Sequence, residues 1–322
     1  MANTTYFEDL LDLLFDAERS LEPVRLADLS DLDRTQVALF ARAWFDCPPG
    51  RRLEIVTRLG QMARENVEFL FDRVNRILLE DPEPDIRRQA IANLWETDDA
   101  GLAETLVAMA EDELDASVRR EAVKSLGRYV YLGELAKIPS DLLARIERAL
   151  LAIDRRTDDG EQLSRLALES LGYSSRPEVK PAIEAALASG QAATIRAGLV
   201  AAGRSADRQW STQVLERLAD PDPRLREEAA RAAGELELRK AVPGLVDLIE
   251  DTDAAVQEAA IWSLGQVGGL RATEVLNALA GTEVHELHGP LIEEALEYIA
   301  FLEGTPDLTL MEYDPEDDTD EI

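Results

Sequence analysis

Apolar residues recur along this chain at steps of four, in a frame that itself repeats. Ile86, Ala90 and Leu94 set the frame, with Arg87 beside the first and the turn residues Asp81-Pro82-Glu83-Pro84 ahead of it. It returns at Val118-Arg119, Ala122, Leu126-Gly127; at Leu163, Ala167, Leu171-Gly172; at Leu225-Arg226, Ala229, Ala233-Gly234; and at Val256, Ala260, Leu264-Gly265. Ile195-Arg196 with Gly203 joins after a one-residue slip, and Leu291, Ala295 and Ile299 close the series. Steps 0, +4 and +8 line one face of a helix. A second amphipathic stretch precedes each frame, at 67–79, 102–110, 142–153, 179–187, 212–218, 242–249 and 272–279. Acidic, turn-forming joins separate the two, at 81–84, 112–115, 158–160, 220–223 and 251–253. Proline cannot continue the first helix but suits the first turn of the second, where Asp accepts free backbone N–H groups. The predicted unit is helix, tight turn, helix. Such a pair buries its apolar face only by stacking on neighbours, so the predicted fold class is all-α, an α-solenoid.

The string Asp-Pro-x-Pro-x-(apolar)-Arg-x-x-Ala-x-x-x-Leu-Gly resembles the HEAT repeat, particularly its short bacterial, lyase-like form, over residues 66–302. The resemblance implies a right-handed superhelix of HEAT-like pairs whose second helices line a concave side. It implies little about function, because such repeats serve many unrelated tasks. Seven clear repeats fill 66–302, and 34–65 predicts an irregular first pair broken at Cys47-Pro48-Pro49-Gly50. Ahead of it, in 1–33, Tyr6, Phe7, Leu10, Leu11, Leu14 and Phe15 form a broad apolar helical face. That face reads as a cap on the solenoid end, or alternatively as a partner-docking helix. Residues 303–322 carry nine acids and no base, which predicts a disordered tail.

Charge narrows the partners. The formal net charge of −31 opposes nucleic acid and anionic membranes, since phosphate binding needs cations. Cys47 is the only cysteine, so no intrachain disulfide or Cys-based zinc site is available. The N-terminus lacks a basic n-region, no long apolar run spans a bilayer, and the expectation is a cytoplasmic monomer. Lys124, Lys137, Lys180 and Lys240 are the only lysines beside thirty arginines, which reads as coding bias rather than a binding signal.

Steps of 100° put positions +2 and +6 of each second helix farthest from the core. At +2 stand Arg88, Arg120 and Arg165, then Glu227, Glu258 and Glu293; at +6, Ala92, Lys124 and Glu169, then Arg231, Trp262 and Glu297. This exposed stripe is basic in the N-terminal half and mostly acidic in the C-terminal half. Its protein-binding candidates are Arg88, Arg120, Lys124, Arg165, Glu227, Arg231, Glu258, Trp262 and Glu293. Trp262 reads either as a contact anchor or as a lid on its neighbour. Trp95, at +9 where other repeats have Gly, lies near the same face, whereas Trp44 and Trp210 read as core. Arg87, Arg119, Arg196 and Arg226 stand at +1, where the resembling HEAT repeat uses arginine in a ladder with turn aspartates of neighbouring units, here Asp81, Asp112 and Asp220.

Signals for catalysis are thin. His285 and His288 precede Gly289-Pro290 and read as a surface loop rather than a metal pair. The HEAT-like di-iron deoxyhypusine hydroxylases hold metal with repeated His–Glu pairs; here those places read Arg120-Glu121 and Glu227-Glu228, and only His285-Glu286 matches. No residue marks the tetrapyrrole site of the resembling bilin lyases, and the HEAT-like DNA glycosylases need a basic groove with aromatics. Gly-rich phosphate loops, Gly-x-Ser-x-Gly and nucleophile–His pairs are missing. The expectation is a non-enzymatic scaffold without cofactor or metal that binds another protein along the concave face. The alternative is an enzyme or enzyme subunit of the lyase-like group. A third reading folds the acidic tail over the basic half of the stripe.

Overall fold

A computed structural model describes residues 2–154 and 160–304. Residues 305–322 of the tail and positions 158 and 159 of one join lie outside the described residues. The chain divides into two compact units, Met1–Val179 and Lys180–Ile322.

In the first unit α1 (Ala2–Phe15) and α2 (Pro23–Ala27) precede four helix pairs. The pairs are α3 (Arg34–Trp44) with α4 (Pro49–Glu65), α5 (Asp72–Leu78) with α6 (Pro84–Asn93), α7 (Ala100–Asp112) with α8 (Ala116–Glu134), and α9 (Ser140–Asp154) with α10 (Gly160–Leu171). Then α11 (Val179–Leu187) leads to α12 (Ala192–Arg204). The second unit continues with α13 (Ser211–Arg217) and α14 (Pro223–Glu235), α15 (Val242–Leu248) and α16 (Ala254–Val267), and α17 (Leu270–Ala278) and α18 (Glu283–Gly304).

The anchors Ile86, Val118, Leu163, Ile195, Leu225 and Val256 are all buried, as are their partners at +4. Position +5 is buried too, as at Ile91, Val123, Leu168, Ala230 and Ile261, where second helices pack on their own first helices and on neighbouring second helices, as α8 does on α7 and α10 and α14 on α13 and α16. The last repeat departs from the frame. Ile292 rather than Leu291 is buried, and 283–290 is helical on both sides of a kink at His288 (φ −122°, ψ 18°) instead of a loop. Pro290 needs no N–H donor at the start of a helical segment, so helix resumes immediately after the kink.

Glycine at +9 sets the spacing of the second helices. A Cβ on Gly234 would stand 3.0 Å from Ser263 Cα, and one on Gly265 would stand 3.0 Å from Ala295 Cα, so only glycine permits this approach. Across the same contacts, the residue at +7 donates to the +5 carbonyl of the preceding second helix. Asn93 Nδ2 reaches Val56 O (2.9 Å), Ser170 Oγ reaches Val123 O (3.0 Å) and Ser263 Oγ reaches Ala230 O (2.7 Å).

The turns carry a second regular device. Asp81, Glu113, Asp220 and Asp251 each accept the backbone N–H two residues on. The residue at +1 of the following helix then donates back to the turn acid's own backbone carbonyl: Arg87 to Asp81, Arg119 to Glu113, Arg226 to Asp220 and Gln257 to Asp251. The carboxylate partners differ from the expected ones. Arg87 forks onto Glu113 (3.0 and 2.8 Å) and Arg226 onto Asp251 (2.7 and 2.8 Å), turn acids of the neighbouring repeat as a ladder between units expects, but at these residues rather than at Asp112 and Asp220. Arg196 breaks the series, lying 3.6 Å from Glu228. The guanidinium fork explains the pattern: one edge faces back to the turn carbonyl and the other forward to the next acid.

An unforeseen rung begins the series. Arg52 on α4 donates to Asp81 Oδ2 (2.6 Å), which also accepts from Trp44 Nε1 (2.6 Å), and Asp81 is 1% exposed. Trp44 stacks on Phe40, and Phe15 of α1 meets both rings edge-on. Arg51 Nε reaches back to the Leu14 carbonyl (2.7 Å), fastening α1 to α4.

Candidate functional site

On α6, α8 and α10 the basic stripe residues are largely answered within their own helix. Arg88 lies 3.7 Å from Asp85, Lys124 3.4 Å from Glu121 and Arg165 3.3 Å from Glu161. Arg88, Arg120 and Arg165 are half-buried rather than outermost, because the flanking second helices shade position +2. Lys124 keeps 67% of its side chain exposed.

The second unit shows the same local pairing with the signs exchanged. Glu227 meets Arg231 at 3.2 Å, and Glu258 lies 3.7 Å from His288 Nδ1, while Glu293 and Glu297 are exposed on α18. Trp262 is half-buried with its ring against Gly234 of α14. Pairs one helical turn apart are worth a few tenths of a kcal/mol and are easily reorganised. The segregation seen along the stripe is therefore softened by counterions one turn away.

A more distinctive site lies between α6 and α8. Helix α6 ends at Asn93, whereas α8 runs on to Glu134, so the far end of α8 faces a gap that α6 has vacated. Trp95, at the position where other repeats carry the spacing glycine, fills the rim and is 51% exposed. The resulting cavity of about 230 Å³ has an apolar wall of Ile91, Leu94 and Leu106, with Trp95, Lys124 and Arg128 at its edge. Arg128 donates to the Glu96 carbonyl (3.0 Å). Tyr129 donates to the Thr97 carbonyl (2.8 Å), and burial pushes its hydroxyl up to about 12, so it stays a neutral donor. These bonds hold the loop after α6 against α8 and keep the cavity walls fixed. Arg128 escaped the sequence reading; the available signal was the missing glycine at Trp95, which marks where two second helices do not close.

Two further side chains that the sequence singles out, Cys47 and His288, are held in settled surroundings. Cys47 is buried, and desolvation pushes its thiol up to about 11, opposite to what a nucleophile needs. His288 is bonded to Gln257 Oε1 (2.9 Å). Among the described residues, no group of three or more His, Cys, Asp or Glu is placed to hold a metal ion, and no helix is long and apolar enough to cross a membrane.

Several solved structures are similar. The complex of CpcE and CpcF of phycocyanin lyase from a Nostoc species shares 20% identity over 72% of this chain and 95% of that one, with a TM-score of 0.50. Human deoxyhypusine hydroxylase in complex with glycerol shares 18% over 94% and 98%, with a TM-score of 0.37. YibA of Escherichia coli shares 14% over 87% and 97%, with a TM-score of 0.46. At such identities the likeness is one of fold alone. No curated protein matches the chain. The family description "HEAT repeats" matches residues 71–148 and 211–296, more than half of the sequence, and the chain belongs to the HEAT-repeat family.

Proposed function

We propose that this HEAT-repeat chain is a non-enzymatic scaffold that binds a protein partner through the exposed faces of its second helices. The observation that carries the reading is the cavity between α6 and α8, where an exposed Trp95 stands over an apolar wall with Lys124 and Arg128 beside it. Tryptophan and arginine at the rim of a desolvated pocket are the residue types that dominate protein interfaces. The chemistry fits a partner segment that presents an apolar side chain next to a carboxylate. Lys124 exchanges its loose 3.4 Å contact with Glu121 for that carboxylate at small cost. Arg88 and Arg120 extend the cationic side of the face, and Glu227, Glu258 and Glu293 offer basic partner groups a matching surface on the second unit. The CpcE–CpcF structure, a complex between two proteins, is consistent with binding as the task.

The test is quantitative affinity capture from the source cell with the wild-type chain, Trp95→Ala and Lys124→Glu, read by mass spectrometry. A specific partner should be retained by the wild type and lost about tenfold or more with Trp95→Ala, the loss of one hot-spot anchor. Unchanged capture by both variants sinks the α6–α8 site. A chromophore or metal that copurifies in stoichiometric amount would instead favour the enzyme reading.

A further inference from the structure

The second unit holds a cavity that the stripe does not use. It measures about 440 Å³ and lies where the second helices end and the next first helices begin. Leu215, Leu238 and Val267 give it an apolar floor, and Arg208, Arg239 and Lys240 stand around it. Arg208 is paired with Glu237 at 3.2 Å, but Arg239 and Lys240 are exposed and have no partner among the described residues. Spare cations grouped on a chain of net charge −31 call for an anionic occupant.

The occupant can be found by following the helices. His288 lies against Gln257 and Ala295 against Gly265, so α18 runs parallel to α16. Its C-terminal end therefore points to the same edge of the unit as the ends of α14 and α16, which border the cavity. Helix α18 is one helix beyond α16, about 10 Å away. By the Gly265–Ala295 match, Gly304 overshoots Val267 by seven residues, about 10 Å along the axis. The chain that leaves Gly304 thus starts within roughly 25 Å of the cavity, and the nine residues 305–313 extend to about 30 Å. Beyond them come Asp314, Glu316, Asp317, Asp318, Asp320 and Glu321 without a single base, preceded by Leu308, Leu310, Met311 and Tyr313. Apolar residues followed by acids match an apolar floor rimmed by cations.

We infer that the C-terminal segment 305–322 docks in cis on this cavity, its apolar residues on Leu215, Leu238 and Val267 and its acids on Arg208, Arg239 and Lys240. The tethered segment sits at high effective concentration, so an acidic ligand arriving from another molecule has to displace it.

The scarcity of lysine supplies a clean test on the full chain. A carbodiimide joins an amine to a carboxylate in direct contact, and Lys124, Lys137, Lys180 and Lys240 are the only lysines. Peptide mapping by mass spectrometry should find the tail acids on Lys240 roughly tenfold more often than on Lys124 or Lys137, as a tethered docking segment requires. Arg208→Glu combined with Arg239→Glu should cut that yield several-fold, with circular dichroism checking that the fold persists. Equal or greater yield on Lys124 or Lys137 would overturn the inference. So would Lys240 products found only between differently isotope-labelled molecules, which would make a second copy the occupant, or a yield unmoved by the double variant.

Discussion

In the first unit, Arg52 and Asp81 pair in a buried setting, where Asp81 also accepts from Trp44. At the last rung of the second unit, the equivalent position is Gln257, a neutral side chain. It donates to the Asp251 carbonyl and passes its oxygen to His288. Between these extremes, Arg87 and Arg226 reach both ways, back to their own turn carbonyl and forward to the next carboxylate. The comparison separates two tasks within one rung. The backward bond closes the helix–turn–helix of a single repeat, and the forward pair fixes one repeat against the next. Arg52 performs only the forward task, its Nε buried without a partner, while Gln257 donates only backward.

The largest expected effect breaks the forward task where it is most buried. Asp81→Ala leaves the Arg52 charge and the Trp44 N–H without partners, which should cost about 3–5 kcal/mol in urea denaturation. A smaller effect tests the two tasks side by side in the second unit. Arg226→Ala removes both bonds and should cost about 2–3 kcal/mol, whereas Arg226→Gln, which imitates Gln257, should recover about half of that loss. Equal losses for the two would show that the backward bond contributes nothing.

Acid separates the same two tasks without mutation. The hydrogen bond from Arg226 holds the Asp251 carboxyl below the usual carboxylate range. A depressed folded-state value gives stability that is complete above the unfolded value, about pH 4, and is lost as pH falls through the folded value. Denaturation curves from pH 7 to pH 2.5 should show this loss in the wild-type chain below about pH 4, and Arg226→Gln should shrink it to the part held by the backbone N–H bonds to Asp251.

The smallest effect concerns how the second helices stop. Glu237, Ala206 and Ala136 follow α14, α12 and α8 with φ of 48°, 51° and 55°, a conformation that favours glycine. Glu237→Gly should raise stability by about 0.5–1 kcal/mol in the same assay.

The sequence read well wherever structure follows period. Ile86, Val118, Leu225 and Val256 could be placed on buried faces because a helix repeats its environment every 3.6 residues. It read poorly wherever the answer depends on which neighbour is nearest. Arg87 and Arg226 stand six residues after one turn acid and just as well placed for the next, and spacing alone does not say which carboxylate the fork reaches. Arg52 escaped because Arg51 occupies the position where every other frame has an apolar anchor. The Trp95 cavity escaped because it arises from a difference in length between α6 and α8, a property of neither helix by itself.

The side-chain bonds from +7 to the +5 carbonyl act as latches against sliding. A helix that shifts along its neighbour must first release the hydroxyl or amide that grips the neighbour's backbone. In the first unit α4–α6 and α8–α10 are latched, by Asn93 and Ser170, and in the second α14–α16 is latched by Ser263. Ala232 stands at the latch position of α14 against α12, and Ser125 at that of α8 against α6 makes no such bond among the described residues. The Trp95 cavity opens beside a joint without this latch, which Arg87–Glu113, Arg128 and Tyr129 bridge instead. A wedge driven in there would therefore strain the turn and the loop that carry those bonds before it could slide α8 along α6, whereas the latched joints on either side would resist through their helix backbones.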